Sequence, residues 1–422
     1  MSNLARLTTW SAAHANVLLV SALAVVCVVV GFATGFWLLF RLAYLIALAI
    51  PLTYLWSRSM IRDLRVEVTR RTHRVTQGQS LTGQIIMRST GWLPKIWLEV
   101  EDRTTVPGHQ SKRVVTLGPN GFDAWSYSTP TRRRGLYELG PVTVTAADPF
   151  GFFRLTREFG GTSTVLVYPN APELPNFYIP PANLPGEGRF RRRTHNITPN
   201  FAGVRAYAPG DSYNRIHWPA TARTGELMVK LFELDPASDI WIVLDLERRV
   251  HVGEGDDNTE EAVVQLAAAI ARYFVSASRS VGMIGFGDDL RVDEPDRGAN
   301  HYTRLLESLA LARATGDVSL SALLTEEARR FGRHTTVVAI TPSTDVEWPL
   351  TLMSLAGRGV KVAAVLLEAE TWDAPTSSLD AYGTLAAGGI YTYTVKRSDD
   401  FVRVLGAGTQ TPAASNLEPA QR

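Results

Sequence analysis

The chain is poor in cysteine and nearly free of net charge. It contains 1 cysteine, Cys27, among 422 residues, so it has neither a disulfide framework nor a Cys-x-x-Cys metal or redox motif. Its 43 Lys and Arg residues nearly balance its 41 Asp and Glu residues, giving a formal net charge of +2. This balance gives no support for nucleic acid as a partner.

The motifs of the common enzyme classes are also missing. The sequence has no Gly-x-x-x-x-Gly-Lys-Ser/Thr phosphate loop, no His-Glu-x-x-His and no Gly-x-Ser-x-Gly. The 8 histidines are scattered without metal-ligand spacing, and His217 is expected to be a surface or turn residue. We therefore predict that the protein is not an enzyme and holds no cofactor or metal.

A long hydrophobic run stands near the N-terminus. Residues Ala15 to Trp56 are predominantly apolar, with Arg41 the only charge, and the run is about twice the roughly 20 residues that one membrane span needs. It predicts two transmembrane helices, Asn16–Phe32 and Phe36–Trp56, in a hairpin over residues 1–60. A secretory signal peptide is the alternative, but the run is too long and lacks a small-x-small cleavage site before its second half.

Arginines flank this run on both sides. Arg6 precedes the first span, and a group of arginines follows the second with only Asp63 and Glu67 against it. That group is Arg58, Arg62, Arg65, Arg70, Arg71 and Arg74. Positive charge favours the cytoplasmic side, so both termini and the soluble domains of this multi-pass membrane protein are expected to be cytoplasmic.

Residues 61–169 have short alternating segments separated by turns, the pattern of an all-β immunoglobulin-like sandwich. The predicted strands are 65–69, 81–87, 95–100, 142–145 and 164–167. The sequence Asp148-Pro149-Phe150-Gly151 predicts a tight turn that buries Phe150. No catalytic constellation is visible here, and residues 170–200, rich in proline and arginine, are interpreted as a linker.

Strands and helices alternate over residues 201–405. The apolar strand Ile240–Leu244 begins a series that predicts an α/β, doubly wound, mainly parallel sheet with helices on both faces. The polar segment 406–422 is expected to be a disordered tail.

The stretch from Arg205 to Arg223 has the highest density of residues with specific structural or chemical roles. Its spacing resembles the domain of unknown function 58 family of bacteria, whose members carry Arg-x-Tyr-x-x-Gly-Asp, then Arg-x-Ile-x-Trp, then Ala-Arg. The matching residues are Arg205, Tyr207, Gly210, Asp211, Arg215, Ile216, Trp218, Ala222 and Arg223. Arg134-Gly135-Leu136-Tyr137, Gly140-Pro141 and Asp148-Pro149-Phe150-Gly151 also look like that family. The resemblance implies a von Willebrand factor A-like domain and work beside a MoxR-type AAA+ ATPase.

We interpret this signature as a structural latch. Asp211 is expected to pair with an arginine of the motif, and Ile216 and Trp218, two residues apart in an extended segment, are expected to share one side. Trp218 is therefore predicted to be buried. The alternative is that the signature is a docking surface.

A second candidate site follows the first strand of the α/β domain. Metal-binding A-like domains carry Asp-x-Ser-x-Ser there, because a hard cation needs oxygen ligands close together. This chain has Asp245, Glu247 and Arg249 at those positions, and the guanidinium is expected to repel a divalent ion or neutralise Asp245. Thr341 and Asp345 follow a later strand, and Asp317, Ser319 and Ser343 also lie after strands or helices, so a metal site stays an alternative.

Two functions follow from these patterns. The first is a membrane-anchored interaction or scaffold protein, and the family resemblance implies that it works with a MoxR-type AAA+ ATPase in assembly or maintenance of cell-envelope or other complexes. Asp245, Glu247, Arg249, Thr341 and Asp345 are its expected docking face, because ligands bind outside the carboxyl ends of strands. The second is a metal-dependent adhesion module that binds a protein ligand through a divalent cation.

Overall fold

The computed structural model describes residues 15–70, 73–177, 201–206, 216–232, 239–332 and 335–407. The chain divides into two compact units, Met1–Asn170 and Ala171–Arg422. Most of the predicted linker and all but two residues of the predicted tail lie outside the described residues.

Two apolar helices begin the first unit, α1 (Ala15–Thr34) and α2 (Trp37–Ile61). Both are long and apolar enough to span a membrane. Phe32 and Phe40 meet edge to face at the turn between them, with ring centroids 5.0 Å apart. Helix α2 continues past the predicted end at Trp56 because Met60 and Ile61 pack into the core of the β domain that follows.

The β domain is a sandwich of two sheets. Its strands are β1 (Leu64–Arg70), β2 (Arg74–Thr76), β3 (Ser80–Ser89), β4 (Lys95–Thr104), β5 (Arg113–Leu117), β6 (Phe122–Pro130), β7 (Gly135–Ala147), β8 (Arg154–Phe159) and β9 (Ser163–Tyr168). One sheet has the order β1-β3-β6 and the other β2-β9-β7-β4-β5, with β8 also paired to β7. All pairs are antiparallel except β2 with β9. Residues of both sheets, such as Met87 and Val144, share one core, which confirms the predicted sandwich.

The turn before β8 differs from the prediction. Phe150 is 66% exposed instead of buried. The buried carboxylate of Asp148 accepts the N–H groups of Phe150 (2.9 Å) and Phe153 (2.6 Å). The aspartate therefore fills the inside of the turn, and the aromatic ring of Phe150 points outward.

The second unit alternates strands and helices. Its strands are β10 (Phe201–Ala206), β11 (Met228–Phe232), β12 (Asp239–Leu244), β13 (Gly253–Glu254), β14 (Asp257–Asn258), β15 (Val281–Phe286), β16 (Leu290–Asp296), β17 (Thr335–Thr341), β18 (Lys361–Leu367) and β19 (Tyr391–Val395). Its helices are α3 (Trp218–Thr224), α4 (Thr259–Ser276), α5 (Ala299–Leu311), α6 (Leu320–Glu326), α7 (Glu347–Gly357), α8 (Leu379–Ala387) and α9 (Phe401–Ala407).

The main sheet of this unit has six strands in the order β16-β15-β12-β17-β18-β19. Every pair is parallel except β15 with β16. Successive side chains of β12 enter different cores: Ile242 packs with α4, α5 and α9 on one face, and Trp241 packs with α6, α7 and α8 on the other. The predicted doubly wound sheet is confirmed.

The sequence prediction missed several elements, including strands β2, β5, β6 and β8 of the sandwich. The antiparallel edge strand β16 and helix α8 were not predicted. Leu174 and Phe177 of the predicted linker are buried in the α/β core, where Phe177 stacks on Tyr393 with ring centroids 4.9 Å apart. Residues 171–177 therefore belong to the α/β unit.

Candidate functional site

Asp245 lies at the carboxyl end of the central strand of the α/β sheet. The chain leaves β12 toward β15 on one side, and β17 lies on the other side, so the strand order reverses at this point. Ligands of open α/β sheets bind in the crevice at such a reversal. The sheet topology thus brings Asp245 and Thr341, which are 96 residues apart in sequence, to one site.

The Asp245 carboxyl group is buried and hydrogen-bonded within the protein. Its side chain is among the buried polar groups at 1% exposure, Oδ2 accepts the Thr341 hydroxyl at 2.6 Å, and Oδ1 accepts the Glu247 N–H at 3.1 Å. Burial raises the pKa of Asp245 from 3.8 to about 6, and these two hydrogen bonds oppose the shift. Both oxygens therefore have protein partners.

The loop after β17 is also held in place by hydrogen bonds within the protein. The Ser343 N–H donates to the Thr341 hydroxyl oxygen at 2.8 Å, and Trp348 Nε1 donates to the Ser343 carbonyl oxygen at 3.2 Å. Trp348 is 1% exposed, so it fixes this loop to the core. Asp345 is exposed, and its carboxylate accepts the Glu347 N–H at 3.2 Å.

The loop after β12 is pinned by its backbone. The Arg248 N–H donates to the Gly316 carbonyl oxygen at 2.9 Å, and the Gly316 N–H donates to the Leu246 carbonyl oxygen at 3.0 Å. A Cβ atom at position 316 would lie 2.2 Å from the Phe286 carbonyl oxygen, so only glycine permits this approach. His251 Nε2 lies 2.9 Å from the Asp245 carbonyl oxygen and holds the loop from its other side.

Charged side chains surround the buried, hydrogen-bonded pair of Asp245 and Thr341. Glu247 is half-buried, whereas Arg248, Arg249, Asp317 and Asp345 are exposed. We call these five residues the charged rim. Arg249 is not among the hydrogen-bond partners of the Asp245 carboxylate, so the expected neutralisation by its guanidinium is replaced by the Thr341 and Glu247 hydrogen bonds. Among the described residues, no group of three or more His, Cys, Asp and Glu side chains is arranged to hold a metal ion.

The signature stretch is described in part. Tyr207, Gly210, Asp211 and Arg215 lie outside the described residues, so the predicted pairing of Asp211 stays a prediction. Arg205 lies in β10 and pairs in register with Val229 of β11. Ile216 forms an isolated bridge with the same Val229 and is 5% exposed.

Trp218 is 66% exposed, which contradicts its predicted burial. Instead of continuing an extended segment with Ile216, it begins helix α3, followed by Pro219 in the first turn. The His217 Nδ1 atom accepts the Ala220 N–H at 3.0 Å and caps the helix, which confirms a turn role for His217. Proline in a first helical turn and this cap favour a helix, which rotates Trp218 away from Ile216. Arg223 is exposed at the end of the same helix.

Comparison with protein families matches residues 203–377 to the family described as protein of unknown function DUF58. These residues are a DUF58 domain. The chain matches the uncharacterized protein YeaD of Bacillus subtilis, 23% identical over 223 residues, which cover 52% of this chain and 53% of that one. It also matches the uncharacterized protein Rv1480 of Mycobacterium tuberculosis, 24% identical over 48% of this chain and 66% of that one. The chain thus spans between half and two thirds of these relatives.

Two solved structures resemble parts of the chain. The CARDB domain of PF1109 from Pyrococcus furiosus is 21% identical and covers 25% of this chain and 94% of its own, with a TM-score of 0.19. Proximal thread matrix protein 1 from the mussel byssus is 13% identical and covers 40% of this chain and 45% of its own, with a TM-score of 0.30.

Outside the DUF58 domain, the β-sandwich contains a buried ion pair that sequence analysis missed. Arg70 Nη2 of β1 lies 2.8 Å from Asp102 Oδ1 of β4, and the two side chains are 9% and 0% exposed. Burial is the largest influence on two neighbours: it lowers the pKa of His109 and raises the pKa of Tyr127. An arginine and an aspartate in separate alternating strands give no sequence signal that they will meet, because only the sheet pairing joins them.

Proposed function

We propose that the chain is a membrane-anchored scaffold protein whose DUF58 domain binds another protein through the charged rim. The length and apolar composition of α1 and α2 support the anchor. We place the soluble units on the cytoplasmic side, because arginines flank the hydrophobic run at both ends.

We assign the α/β unit to the von Willebrand factor A-like class. The strand order, the single antiparallel edge strand β16, the helices on both faces and an aspartate after the central strand support this assignment. Fold alone does not specify an activity, so the function is argued from the residues at the carboxyl edge.

The observation that carries the proposal is the burial and hydrogen bonding of the Asp245 carboxyl group. Asp245 is buried, both of its oxygens accept a hydrogen bond from the protein, and no group of three or more His, Cys, Asp and Glu side chains that could hold a metal ion is found among the described residues, so a divalent cation would meet few carboxylate ligands there. Burial, and not a neighbouring positive charge, has the largest influence on the pKa of Asp245, which is raised to about 6. The edge is therefore suited to contact by surface charges and not through a bridging ion.

The charged rim supplies those contacts. It has arginines and carboxylates side by side on loops that a rigid sheet positions, which is the usual location of recognition residues. Charges of both signs fit a protein surface with a complementary pattern better than a uniformly charged polymer. The resemblance to the DUF58 family nominates a MoxR-type AAA+ ATPase as the partner, and assembly or maintenance of a cell-envelope complex as the process.

Affinity capture of the full-length chain from native membranes, with and without ATP, tests this proposal. We expect recovery of the ATPase, and we expect Glu247→Lys combined with Arg249→Glu to weaken it. The matched control is Asp239→Lys combined with Arg358→Glu, because both residues are exposed at the amino edge of the same sheet. Docking at the charged rim would be contradicted if no ATPase is recovered, or if both double variants reduce its recovery equally.

A further inference from the structure

We propose that the α2 end of the β-sandwich is immersed in the lipid–water interface of the bilayer that α1 and α2 cross. This inference rests on the proposed membrane anchor. It adds that the sandwich contacts the membrane surface directly and is not attached to the membrane through the helix alone.

The distribution of exposed apolar side chains is the first support. Among its described residues, the sandwich has seven exposed large hydrophobic side chains: Trp92, Ile96, Trp97, Val114, Phe122, Leu136 and Phe150. All but Val114 and Leu136 lie in loops or strand ends at the end of the sandwich where α2 enters. We call Trp92, Ile96, Trp97, Phe122 and Phe150 the aromatic face. A soluble domain seldom gathers its exposed apolar side chains at one end unless that end is covered.

The position of α2 fixes where this face lies relative to the membrane span. The Lys95 ammonium group donates to the Ser59 carbonyl oxygen, and the Ile96 N–H lies 3.3 Å from Met60 Sδ. The Thr90 N–H donates to the carbonyl oxygen of Asp63 at 2.9 Å, just after the helix. The loop that carries Trp92 is thus attached to the last turn of α2.

The β7–β8 loop reaches further along the helix. Phe153 packs edge to face on Tyr54, with ring centroids 5.4 Å apart, and Phe150 and Phe152 stack beside it at 5.7 Å. Tyr54 precedes the end of α2 at Ile61 by about 10 Å at the usual helical rise of about 1.5 Å per residue. Phe150 therefore lies at the depth of the last turns of the apolar helix.

The backbone of β4 turns two successive apolar side chains outward. Trp97 has φ of 59°, a conformation that a bulky non-glycine residue seldom adopts, and the pairing register with β5 shifts between Lys95 and Leu98. This bulge exposes both Ile96 and Trp97, whereas regular alternation would turn one of them inward. Strained backbone of this kind is held in place by the surrounding structure and clusters at functional sites.

The polar residues of this end suit the headgroup layer. Arg58 is exposed on α2, the side chain of Arg62 is 76% exposed, and the Arg88 guanidinium lies 5.7 Å from the Phe122 ring centroid. Tryptophan at membrane interfaces and arginine beside anionic headgroups are favourable placements. Aromatic rings next to arginines thus match the interface of an anionic bilayer.

Spin-label accessibility of the full chain in phosphatidylcholine and phosphatidylglycerol nanodiscs tests the proposal. A nitroxide is attached to Trp92→Cys or Phe150→Cys in a Cys27→Ser background, and its exposure to oxygen and to a water-soluble nickel complex is compared. Leu45→Cys, at an exposed position within α2, is the reference for the bilayer interior. Leu136→Cys is the matched control, because Leu136 is 57% exposed at the opposite end of the same sandwich.

We expect the oxygen-to-nickel ratio at positions 92 and 150 to lie between the ratios at 45 and 136. Ratios equal to that at 136 would overturn the proposal and leave the membrane anchor intact. Protection from both reagents at 92 and 150 would indicate a protein partner on this face and would also overturn it. If position 45 is as accessible to nickel as position 136, the anchor itself fails.

Discussion

At the residue scale, Asp245 determines what the carboxyl edge of the DUF58 domain can do. A buried carboxyl group without a cation prefers its neutral form, and its pKa of about 6 lies close to physiological pH. Its folded pKa is above the unfolded value of 3.8, so the folded state binds the proton more tightly. The resulting stabilisation is present below the unfolded pKa and is lost as pH rises through the folded pKa.

Replacement of Asp245 by asparagine should therefore flatten the pH dependence of stability. The change in pKa corresponds to about 3 kcal/mol of folding free energy between pH 4 and pH 7. The amide oxygen can accept the Glu247 N–H, and the amide nitrogen can donate to Thr341 Oγ1. We expect Asp245→Asn to raise the melting temperature at pH 7.5 and to have little effect at pH 4.5.

Thermal unfolding of the full-length chain in detergent from pH 4.5 to 7.5 measures this difference. Asp345→Asn is the control, because Asp345 is exposed at the same edge. A pH slope for Asp245→Asn that equals that of the unmodified protein would show that Asp245 stays ionised throughout.

The same residue predicts the response to divalent cations. Each carboxylate oxygen of Asp245 already accepts a hydrogen bond, and the guanidinium of Arg249 in the same loop is expected to repel a cation, so millimolar Mg²⁺ or Mn²⁺ should leave the melting temperature of the DUF58 domain unchanged. Binding at about 100 times the dissociation constant would instead stabilise it by about 2.7 kcal/mol. A stabilisation that Asp245→Ala abolishes would favour the metal-dependent adhesion module.

The Arg70–Asp102 ion pair leads to a prediction about the sandwich. Asp102→Ala would leave the Arg70 guanidinium buried without its partner, which typically costs about 3 to 5 kcal/mol. Arg70→Met combined with Asp102→Leu removes both charges and should cost much less. Urea titration monitored by limited proteolysis of the sandwich compares the two variants. Equal destabilisation by both would show that shape, and not unpaired charge, dominates at this position.

At the element scale, helix α3 places part of the family signature on the surface. Trp218 is 66% exposed and Arg223 is exposed on the same short helix, so neither contributes much buried area. We expect Trp218→Ala to change stability by about 0.5 kcal/mol or less, as surface substitutions usually do. Ile216→Ala, which empties a buried position, should cost about 2 to 5 kcal/mol.

Melting temperatures of the two variants, measured beside capture of the partner, separate a structural from a docking role. A docking role predicts that Trp218→Ala keeps its stability and loses partner. A large drop in the melting temperature of Trp218→Ala would favour the latch interpretation.

The elements that the sequence predicted well are those whose pattern is local. The run Ile240–Leu244 is apolar at every position because β12 is covered on both faces, and the alternation of Leu98 and Val100 with more exposed neighbours reports one buried face of β4. The predictions that Trp218 and Phe150 are buried were wrong. The direction of each side chain is set by local backbone structure, a helix N-terminal cap at Trp218 and an aspartate turn at Phe150, and not by hydrophobicity. The edge strand β16 has exposed and half-buried residues throughout, so it gives no hydrophobic signal.

The candidate site was predictable only in outline. Asp245 could be identified because it is a carboxylate directly after the first strand of a doubly wound sheet. Thr341 could be identified because it follows a later strand, and ligands bind outside the carboxyl ends of the strands. Their hydrogen bond follows from the parallel pairing of β12 with β17, which brings both strand ends to the same level. The buried Arg70–Asp102 pair depends in the same way on sheet pairing that no local pattern encodes.

At the scale of the whole molecule, the orientation of the soluble units relative to the membrane decides which partners they can meet. A cytoplasmic ATPase can reach the charged rim only if the hairpin places both termini in the cytoplasm. Arginines on both sides of the hydrophobic run favour that orientation, and the turn between α1 and α2 is only two residues long, Gly35 and Phe36.

Cysteine labelling in intact cells tests this orientation. In a Cys27→Ala background, Ala386→Cys places a thiol at an exposed position of α8, and Phe36→Cys places one in the turn between the helices, where Phe36 is 52% exposed. A membrane-impermeant maleimide should label position 36 in intact cells and position 386 only after permeabilisation, because the bilayer separates the two. Labelling of position 386 in intact cells would place the DUF58 domain outside the cytoplasm and remove a cytoplasmic ATPase from its possible partners.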